Sequence, residues 1–359
     1  MDLKLTDQQE AARETAREFA EKKLLPKAAQ LDANEEFPED AVRELGELGL
    51  LGMMIPDKHG GAELDAVSYS LALMEIARAD ASTAVILSVN NLVAETITQW
   101  GTEDQKNKYL PRLNSLEGLG AFALTEPHAG SDVQAIRTRA VKKNDHYVLN
   151  GEKTWITNAS HAGTFLVMAV TDPERRSKSI SAFIVEGGTP GMTIGKAEPK
   201  MGQRASHTCP VNFDSCKIPA DNLLGEEGAG LKIALSALDS GRIGIACLST
   251  GLIAACLDEM TRYAKERTAF GKPIADFQAI QWMIADTAVE YEAARGLSIL
   301  TAWRKQAGEP VSEKAAIAKL YASEAANRSA YRAVQVHGGY GYSREYRVER
   351  LYRDARVLT

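Results

Sequence analysis

The sequence predicts an α+β fold that is mostly α-helical, and two observations support this prediction. Before residue 120 and after residue 230, apolar residues recur at the three- and four-residue steps of an amphipathic helix. Between them lie short runs of β-branched and aromatic residues, separated by Gly, Pro, Asn and Asp. A chain of 359 residues is long enough for more than one core. We therefore predict a helical domain at 1–119, a β domain at 120–225 and a helical bundle at 226–359.

The first domain opens with a helix start signal. Thr6 and Gln9 have the spacing of a capping box, in which each side chain accepts the other residue's backbone N–H. The helical pattern that follows is predicted to end at Pro26. Gly60-Gly61 predicts a loop. The other helices predicted in this domain cover residues 39–50, 65–79 and 84–100.

The middle domain is predicted to be antiparallel β structure. Residues 147–149 and 154–156 flank Asn150-Gly151, a dipeptide that accepts the positive φ angles of a type I′ turn. This pattern predicts a hairpin with its turn at Asn150-Gly151. Further strands are predicted at residues 165–171, 181–186, 191–194 and 210–213.

Long helices are predicted after Gly230. Residues 231–267 and 276–306 contain few Gly or Pro residues and keep helical spacing of their apolar positions. A third helix is predicted at residues 312–337, with Ser312 as its N-cap.

Composition excludes several classes of function. The net charge of −6 and the lack of basic runs argue against a nucleic-acid partner. The four cysteines form no CxxC pair and the six histidines are scattered, so we expect reduced buried thiols and no metal site. The N-terminus has no apolar leader and no run of eighteen apolar residues occurs, so we expect no membrane span and a cytoplasmic location.

Two motifs in the middle domain suggest a ligand site. Residues 122–132 read Phe-Ala-Leu-Thr-Glu-Pro-His-Ala-Gly-Ser-Asp, which is either a self-contained turn or a bend whose hydroxyls and N–H groups hold an anionic ligand. Trp155 and Thr157 have the i, i+2 spacing that places two side chains on one face of a strand. They could cover a flat aromatic ligand, or Trp155 could simply pack in a β core.

Two motifs in the last domain are also ambiguous. Asp239 and Arg242 lie within a predicted helix, where they form either a structural ion pair or a phosphate or amide site. The glycine cluster 338–341 follows a helix rather than a strand, so it is not a dinucleotide fingerprint. It serves either as a helix C-cap or as a place where a pyrophosphate approaches the backbone.

Taken in order, these motifs resemble the acyl-CoA dehydrogenase family, from Leu5 to the last residue. Chance cannot account for two long motifs, Thr-Glu-Pro-His-Ala-Gly-Ser-Asp and Asn-Gly-Glu-Lys-Thr-Trp-Ile-Thr-Asn. The other matching segments are 101–106, 201–206, 266–271, 338–342 and 352–355. The resemblance implies a helical domain, a central β-barrel and a four-helix bundle, most like short-chain, butyryl-CoA members.

The resemblance implies that FAD is the cofactor. Thr157 would donate to flavin N5, Trp155 would cover the ring edge, and Ser131 would lie where cofactor and substrate meet. The remaining residues implied around the flavin ring are Phe122, Leu124, Thr125 and Ile156. The residues implied to reach the FAD of a neighbouring subunit are Arg267, Phe270, Gln278, Gln335, Gly338 and Gly339.

The resemblance also implies the reaction and the partners. The family removes a proton from Cα of an acyl-CoA thioester and a hydride from Cβ, and passes the electrons to electron-transferring flavoprotein. Members are homotetramers, arranged as dimers of dimers. The residues implied to bind the acyl-CoA are Ser131, Ser177, Asp239, Gly241 and Arg242.

Two departures from the family pattern concern the site. Ala269 stands where many members have Thr or Gln, so one hydrogen bond to FAD is missing. Gly241 occupies the position of the catalytic Glu in the long-chain and isovaleryl branch, and glycine cannot be a base. We expect the base to be a Glu in a Tyr-Glu-Gly-Thr motif just beyond Thr359, as in short-chain relatives. Alternatives are an acyl-CoA oxidase and a non-catalytic descendant that binds flavin or CoA.

Overall fold

The computed structural model describes residues 4–359, and the side chains of residues 175–177 lie outside that description. In chain order the helices are α1 Asp7–Phe19, α2 Ala28–Asn34, α3 Glu39–Glu47, α4 Ala66–Ala79, α5 Ala81–Trp100, α6 Glu103–Tyr109, α7 Gly230–Glu266, α8 Gln278–Gln306, α9 Ser312–His337 and α10 Val348–Ala355. The strands are β1 Gly120–Ala123, β2 Arg139–Lys143, β3 His146–Thr157, β4 Thr164–Val170, β5 Ile180–Glu186, β6 Met192–Ile194, β7 Thr208–Pro219, β8 Leu223–Leu224, β9 Thr268–Ala269 and β10 Lys272–Pro273.

The N-terminal helices follow the predicted signals closely. The Thr6–Gln9 capping box is confirmed, with the Gln9 N–H 3.2 Å from Thr6 Oγ1 and the Thr6 N–H 3.0 Å from Gln9 Oε1. Helix α1 continues into a π-helical turn that ends at Leu24, two residues before Pro26. Helix α3 ends at Glu47, earlier than predicted, because Gly49 adopts a φ of 73°.

The predicted hairpin turn at Asn150-Gly151 is wrong. Strand β3 runs straight through both residues, and Gly151, with a φ of 148°, marks a register shift against β7. The turn lies earlier, at Asn144-Asp145, where Lys143 pairs with His146 and Asn144 has a φ of 49°. The Asn-Gly dipeptide instead forms a β-bulge, the other use of a left-handed backbone within a strand.

The prediction of a purely antiparallel sheet is wrong, because the sheet is mixed. Its strand order is β6-β7-β3-β2-β4-β5-β8, and most of the neighbouring pairs are antiparallel. However, β4 pairs in parallel with β1 and, at one residue pair, with β2. Strands β2 and β3 come between β1 and β4 in the sequence. After them the chain returns to β1, and β4 runs beside it in the same direction.

The three long C-terminal helices have almost the predicted bounds. The predicted N-cap at Ser312 is wrong, because Ser312 is the first helical residue of α9 and its hydroxyl donates to Asp239 instead. Helix α7 is long and apolar enough to cross a membrane by length and composition alone, and 72% of its most apolar window is buried inside the protein. A buried core helix passes the same test, so the expected absence of a span stays a prediction.

The hydrophobic cores cross the boundaries that the sequence suggested. One core combines residues of α1, α4 and α5 with residues of α7, α9 and α10. A second joins α5 and α6 to strands β4 and β5 and to the start of α7. Only the third lies wholly within the β-sheet region. The domain boundaries at residues 119 and 225 stay a prediction. They do not coincide with boundaries between hydrophobic cores.

Helix α7 approaches its neighbours through glycines. A Cβ at Gly251 would lie 2.2 Å from the Met74 carbonyl oxygen, and one at Gly244 would lie 2.3 Å from Ser88 Oγ. All four cysteines are free and buried, which confirms the prediction of reduced thiols. Burial raises the pKa of both Cys247 and Cys256 to about 12.

A buried carboxyl connects helix α10 to the loop after β6. Asp354 accepts the backbone N–H of Gln203, a residue that has a left-handed φ of 48°. Burial raises the pKa of Asp354 from 3.8 to about 7. Between those two pH values the folded protein keeps a proton that the unfolded chain has released. The resulting stabilisation is complete at low pH and is lost as the pH rises through 7.

We expect the variant Asp354→Asn to remove this pH dependence. Its amide oxygen can still accept the Gln203 N–H, but the side chain no longer titrates. The unfolding free energy of the wild type minus that of the variant should therefore decrease between about pH 4.5 and about pH 7.5. Urea denaturation at several pH values measures this difference, and Asp40→Asn, at an exposed carboxyl, serves as the control. A difference that stays constant with pH would contradict the assignment.

Candidate active site

A buried ion pair holds the two middle-domain motifs together. Lys153 Nζ lies 2.7 Å from Glu126 Oε1 and 3.0 Å from the Leu124 carbonyl oxygen, and both charged side chains are buried. The Glu126 carboxylate also accepts the backbone N–H groups of Arg137, at 2.6 Å, and Thr138, at 2.9 Å. Thus the glutamate of one motif neutralises the lysine of the other.

Burial and the partner's charge act in opposite directions on the pKa of each member of this pair. Burial lowers the pKa of Lys153 to about 8, against the opposing effect of Glu126. Burial acts to raise the pKa of Glu126, but the Lys153 charge and the hydrogen bonds it accepts bring it below its usual value. Removal of either partner would leave an uncompensated charge in the protein interior.

The strand carrying Trp155 is bulged at that residue. Trp155 adopts a left-handed φ of 60°, within a register shift between Lys153 and Ile156. Its side chain is 58% exposed, whereas Ile156 is buried in the sheet core. Strain of this kind in a non-glycine residue is typical of functional sites. The bulge turns an indole outward next to the half-buried Thr157.

The predicted flavin-ring residues are brought together by this strand. The Thr154 N–H donates to the Thr125 carbonyl oxygen at 3.0 Å, so residues 122–125 run beside Trp155. Leu124 is buried, while Phe122 and Thr125 are half-buried. Ser131 is exposed in the loop that follows.

A separate cavity of about 650 Å³ contains most of the predicted dinucleotide residues. Arg267 and Phe270 line one side of it. Gln335, Gly338 and Gly339 line the other, at the end of α9. Gln278 is not among the lining residues of the cavity, although its neighbours Phe277 and Ala279 are.

The same cavity contains an aromatic cluster that sequence reasoning missed. Tyr263 stacks on His337 with ring centroids 4.1 Å apart, and Arg267 lies over Tyr340 at 5.5 Å. Burial lowers the pKa of His337 below its usual value. No sequence pattern pointed to this stacking, because Tyr263 and His337 lie on two different helices.

The glycine cluster has two uses in the structure. The Gly338 N–H donates to the Gln335 carbonyl oxygen, so this group caps α9 and is not free for a phosphate. A Cβ at Gly338 or at Gly339 would meet nothing within 4 Å. The open space permits a ligand to approach the backbone closely. Phe270, 95% exposed on the short β9–β10 hairpin, stands at the mouth.

The predicted substrate residues lie on helix α7. Arg242 Nη1 is 2.6 Å from Asp239 Oδ1, so the pair is an ion pair within one helical turn. A Cβ at Gly241 would lie 3.0 Å from Leu92 Cδ1, on helix α5. The side chain of Ser177 lies outside the described residues. Among the described residues no group of His, Cys, Asp and Glu could hold a metal ion, and the expectation of no metal site stays a prediction.

The two predicted halves of the cofactor site do not meet in one chain. The cavity at Arg267 is lined only by residues 263–280 and 335–340, and none of its lining residues belongs to the β-sheet region. Its cationic, aromatic and open-backbone surfaces suit a flavin dinucleotide, and so does the exposed indole of Trp155. Each half therefore fits part of such a ligand.

Comparison with known proteins identifies the family. Three family models match in order: the acyl-CoA dehydrogenase N-terminal domain at residues 6–117, the middle domain at 121–216 and the C-terminal domain at 228–359. The chain belongs to the acyl-CoA dehydrogenase family. Members of this family use FAD, and the chain is accordingly a flavoprotein and an oxidoreductase with acyl-CoA dehydrogenase activity.

Individual relatives match along almost the whole acyl-CoA dehydrogenase chain. The mitochondrial short-chain specific acyl-CoA dehydrogenase of Mus musculus is 47% identical over 356 residues, covering 99% of this chain and 86% of that protein. The structure of butyryl-CoA dehydrogenase from Megasphaera elsdenii superposes with a TM-score of 0.98 at 45% identity, covering 100% and 95% of the two chains. This superposition confirms the predicted α+β class with its three successive regions.

A chain from a structure described as the electron transferring flavoprotein of Acidaminococcus fermentans superposes with a TM-score of 0.98 at 44% identity. The match covers 100% of this chain and 94% of that chain.

We expect the substitution Gly339→Val to weaken FAD binding without destabilising the protein. A Cβ added at Gly339 has no atom of its own chain within 4 Å, so we expect the clash to be with a ligand or a second subunit. FAD affinity, measured by flavin fluorescence during reconstitution of apoprotein, should fall about tenfold or more, the equivalent of about 1.4 kcal/mol. Thermal unfolding of the apoprotein should be unchanged. Ala307→Val, at an exposed position at the end of α8, is the control, and equal FAD affinities would contradict the site.

Proposed function

We propose that this acyl-CoA dehydrogenase oxidises short-chain acyl-CoA thioesters to 2-enoyl-CoA. The observation that carries the proposal is the bulge at Trp155, which turns an exposed indole outward from a strand whose Thr154 is hydrogen-bonded to Thr125. Hydride acceptance from Cβ is the chemistry that FAD supplies when bound. The residues of the chain have to orient the two ligands, exclude water and remove the proton from Cα.

Each side chain near the bulge has a proposed part in this reaction. The Thr157 hydroxyl would donate to flavin N5, favouring the negative charge that develops there. Trp155 would cover the ring edge, and Phe122, Leu124, Thr125 and Ser131 would complete the flavin side. The Ile156 side chain is buried in the sheet core, so that residue would contribute only its backbone. The base stays a prediction, a Glu in a Tyr-Glu-Gly-Thr motif that follows Thr359. A carboxylate in a desolvated pocket is basic enough for the weakly acidic Cα proton.

We propose that a neighbouring subunit completes each FAD site within a homotetramer. The separation of the two site halves within one chain supports this arrangement. So does an exposed apolar face on α8, where Trp282, Val289 and Trp303 recur at multiples of seven residues. Leu320 and Tyr331 are exposed on the adjacent α9. Arg267, Phe270, Gln278, Gln335, Gly338 and Gly339 would contact the partner's FAD.

The proposed substrate site is the start of helix α7. Asp239 and Arg242 would hold the pantetheine and nucleotide of CoA, together with Ser131 and Ser177. Gly241 lies against Leu92, where an added Cβ would come within 3.0 Å of Leu92 Cδ1. One turn further, Gly244 packs so closely against Ser88 that an added Cβ would clash. That contact is packing between α7 and α5, and the proposal of a short substrate rests on the similarity to short-chain specific relatives.

We propose that the electrons pass to electron-transferring flavoprotein. Membership of the acyl-CoA dehydrogenase family supports this acceptor. An acyl-CoA oxidase on the same fold would pass them to oxygen instead, and a non-catalytic descendant would accept none. A cytoplasmic location stays part of the proposal.

We expect turnover to be fastest with acyl chains of about four to six carbons, because the relatives that this chain resembles are short-chain specific enzymes. The measurement compares kcat/KM for butyryl-, isobutyryl-, octanoyl- and glutaryl-CoA with a dye as acceptor. A preference for palmitoyl-CoA would contradict the proposed substrate class.

We expect the reduced enzyme to transfer electrons to electron-transferring flavoprotein much faster than to oxygen while product is bound. Stopped-flow mixing of the butyryl-CoA-reduced enzyme with either acceptor measures both rates. The control is the same mixing without substrate. Hydrogen peroxide formed in equal amount to enoyl-CoA would identify an oxidase, and flavin that is never bleached would identify the non-catalytic descendant.

A further inference from the structure

We propose that Lys153 and Glu126 are positioning residues for the flavin, fixing the distance between the two walls of its site. One wall is the segment Leu124–Thr125, and the other is the strand end that carries Trp155 and Thr157. This inference rests on the proposed function, since it concerns the same FAD site. Neither residue has a role in the reaction described above.

The hydrogen bonds of Lys153 connect these two walls directly. Its backbone belongs to β3, two residues before Trp155, and its ammonium group donates to the Leu124 carbonyl oxygen at 3.0 Å. The adjacent backbone bond from Thr154 to Thr125, also 3.0 Å, runs between the same segments. Two hydrogen bonds from consecutive residues therefore join the walls. One comes from the Lys153 side chain and the other from the Thr154 main chain.

Glu126 fixes the far end of the first wall. Its carboxylate accepts the N–H groups of Arg137 and Thr138, just before strand β2 begins. The 127–136 loop, which carries Ser131, therefore follows Glu126 in the sequence and is hydrogen-bonded back to the Glu126 carboxylate just after it ends. With Lys153 bound to the same carboxylate, three segments of the sheet region converge on a single buried group.

Stability alone does not account for such a pair. Burying two charges costs desolvation energy, and apolar residues of similar volume often stabilise a protein as well or better. A geometric role does account for it, because charge-assisted hydrogen bonds are short and directional. Trp155, whose backbone φ is left-handed, lies two residues after Lys153. A small displacement of the strand at Lys153 would therefore move the indole.

The test uses the complete protein with bound FAD and three variants: Lys153→Met, Glu126→Gln and the double variant. Each single variant breaks a buried pair and should lower the urea midpoint. The double variant leaves no uncompensated charge, so its midpoint should lie closer to the wild-type value than that of either single variant. It provides a folded protein in which only the positioning bonds are lost.

In the double variant we expect bound FAD with an altered environment. The midpoint potential should shift by about 30 mV or more, which is a tenfold change in the relative affinity for oxidised and reduced FAD. Flavin reduction by butyryl-CoA should slow by about 100-fold, as a displacement near 1 Å produces. The KM for butyryl-CoA should stay nearly unchanged, because Asp239 and Arg242 are intact.

The control removes an ion pair elsewhere, in the double variant Asp32→Asn/Arg353→Met. That pair is 2.7 Å long and joins α2 to α10. Its loss should lower stability and leave the flavin potential at the wild-type value. A wild-type potential and reduction rate in the folded Glu126→Gln/Lys153→Met protein would overturn the positioning role alone. Wild-type protein that binds no FAD would overturn the proposed function as well.

Discussion

The structure depends on how closely helix α7 can approach the elements around it. Its 37 residues pack against N-terminal and C-terminal helices at once, so that residues far apart in sequence share one core. This packing needs positions without a Cβ, and Gly244 and Gly251 supply them where the helix meets Ser88 and Met74. Because the same helix carries Asp239 and Arg242, the core that stabilises the fold also positions the proposed substrate site.

Much of the fold could be predicted because its signals are local. The Thr6–Gln9 capping box and the helical periodicity of 276–306 specify their own structures through neighbouring residues, and the structure has both. The pairing of strands is not local in this sense. Asn150-Gly151 has the composition of a turn, but the long ladder with β7 continues through it and converts it to a bulge. Similarly, Ser312 could cap a helix but donates to Asp239 across the bundle.

The residues of the candidate site also fall into those that local sequence signals predicted and those that they did not. Trp155 and Thr157 could be singled out from spacing, and the resemblance to a family placed Arg267 and the glycines. Neither approach predicted that Glu126 and Lys153 form a pair, because they lie 27 positions apart in the sequence, with strand β2 between them. The stacking of Tyr263 on His337 was likewise missed, since it joins two helices whose contact no sequence pattern indicates.

The cavity at the end of α9 has a consequence for how the protein responds to dilution. If its occupant is shared with a second subunit, ligand binding and subunit association become linked equilibria. Free FAD then stabilises the assembly by an amount that grows with the logarithm of its concentration. Conversely, dilution of the protein lowers its apparent affinity for FAD, even when the FAD concentration is held constant. Cofactor content would report the state of association as directly as a measurement of mass.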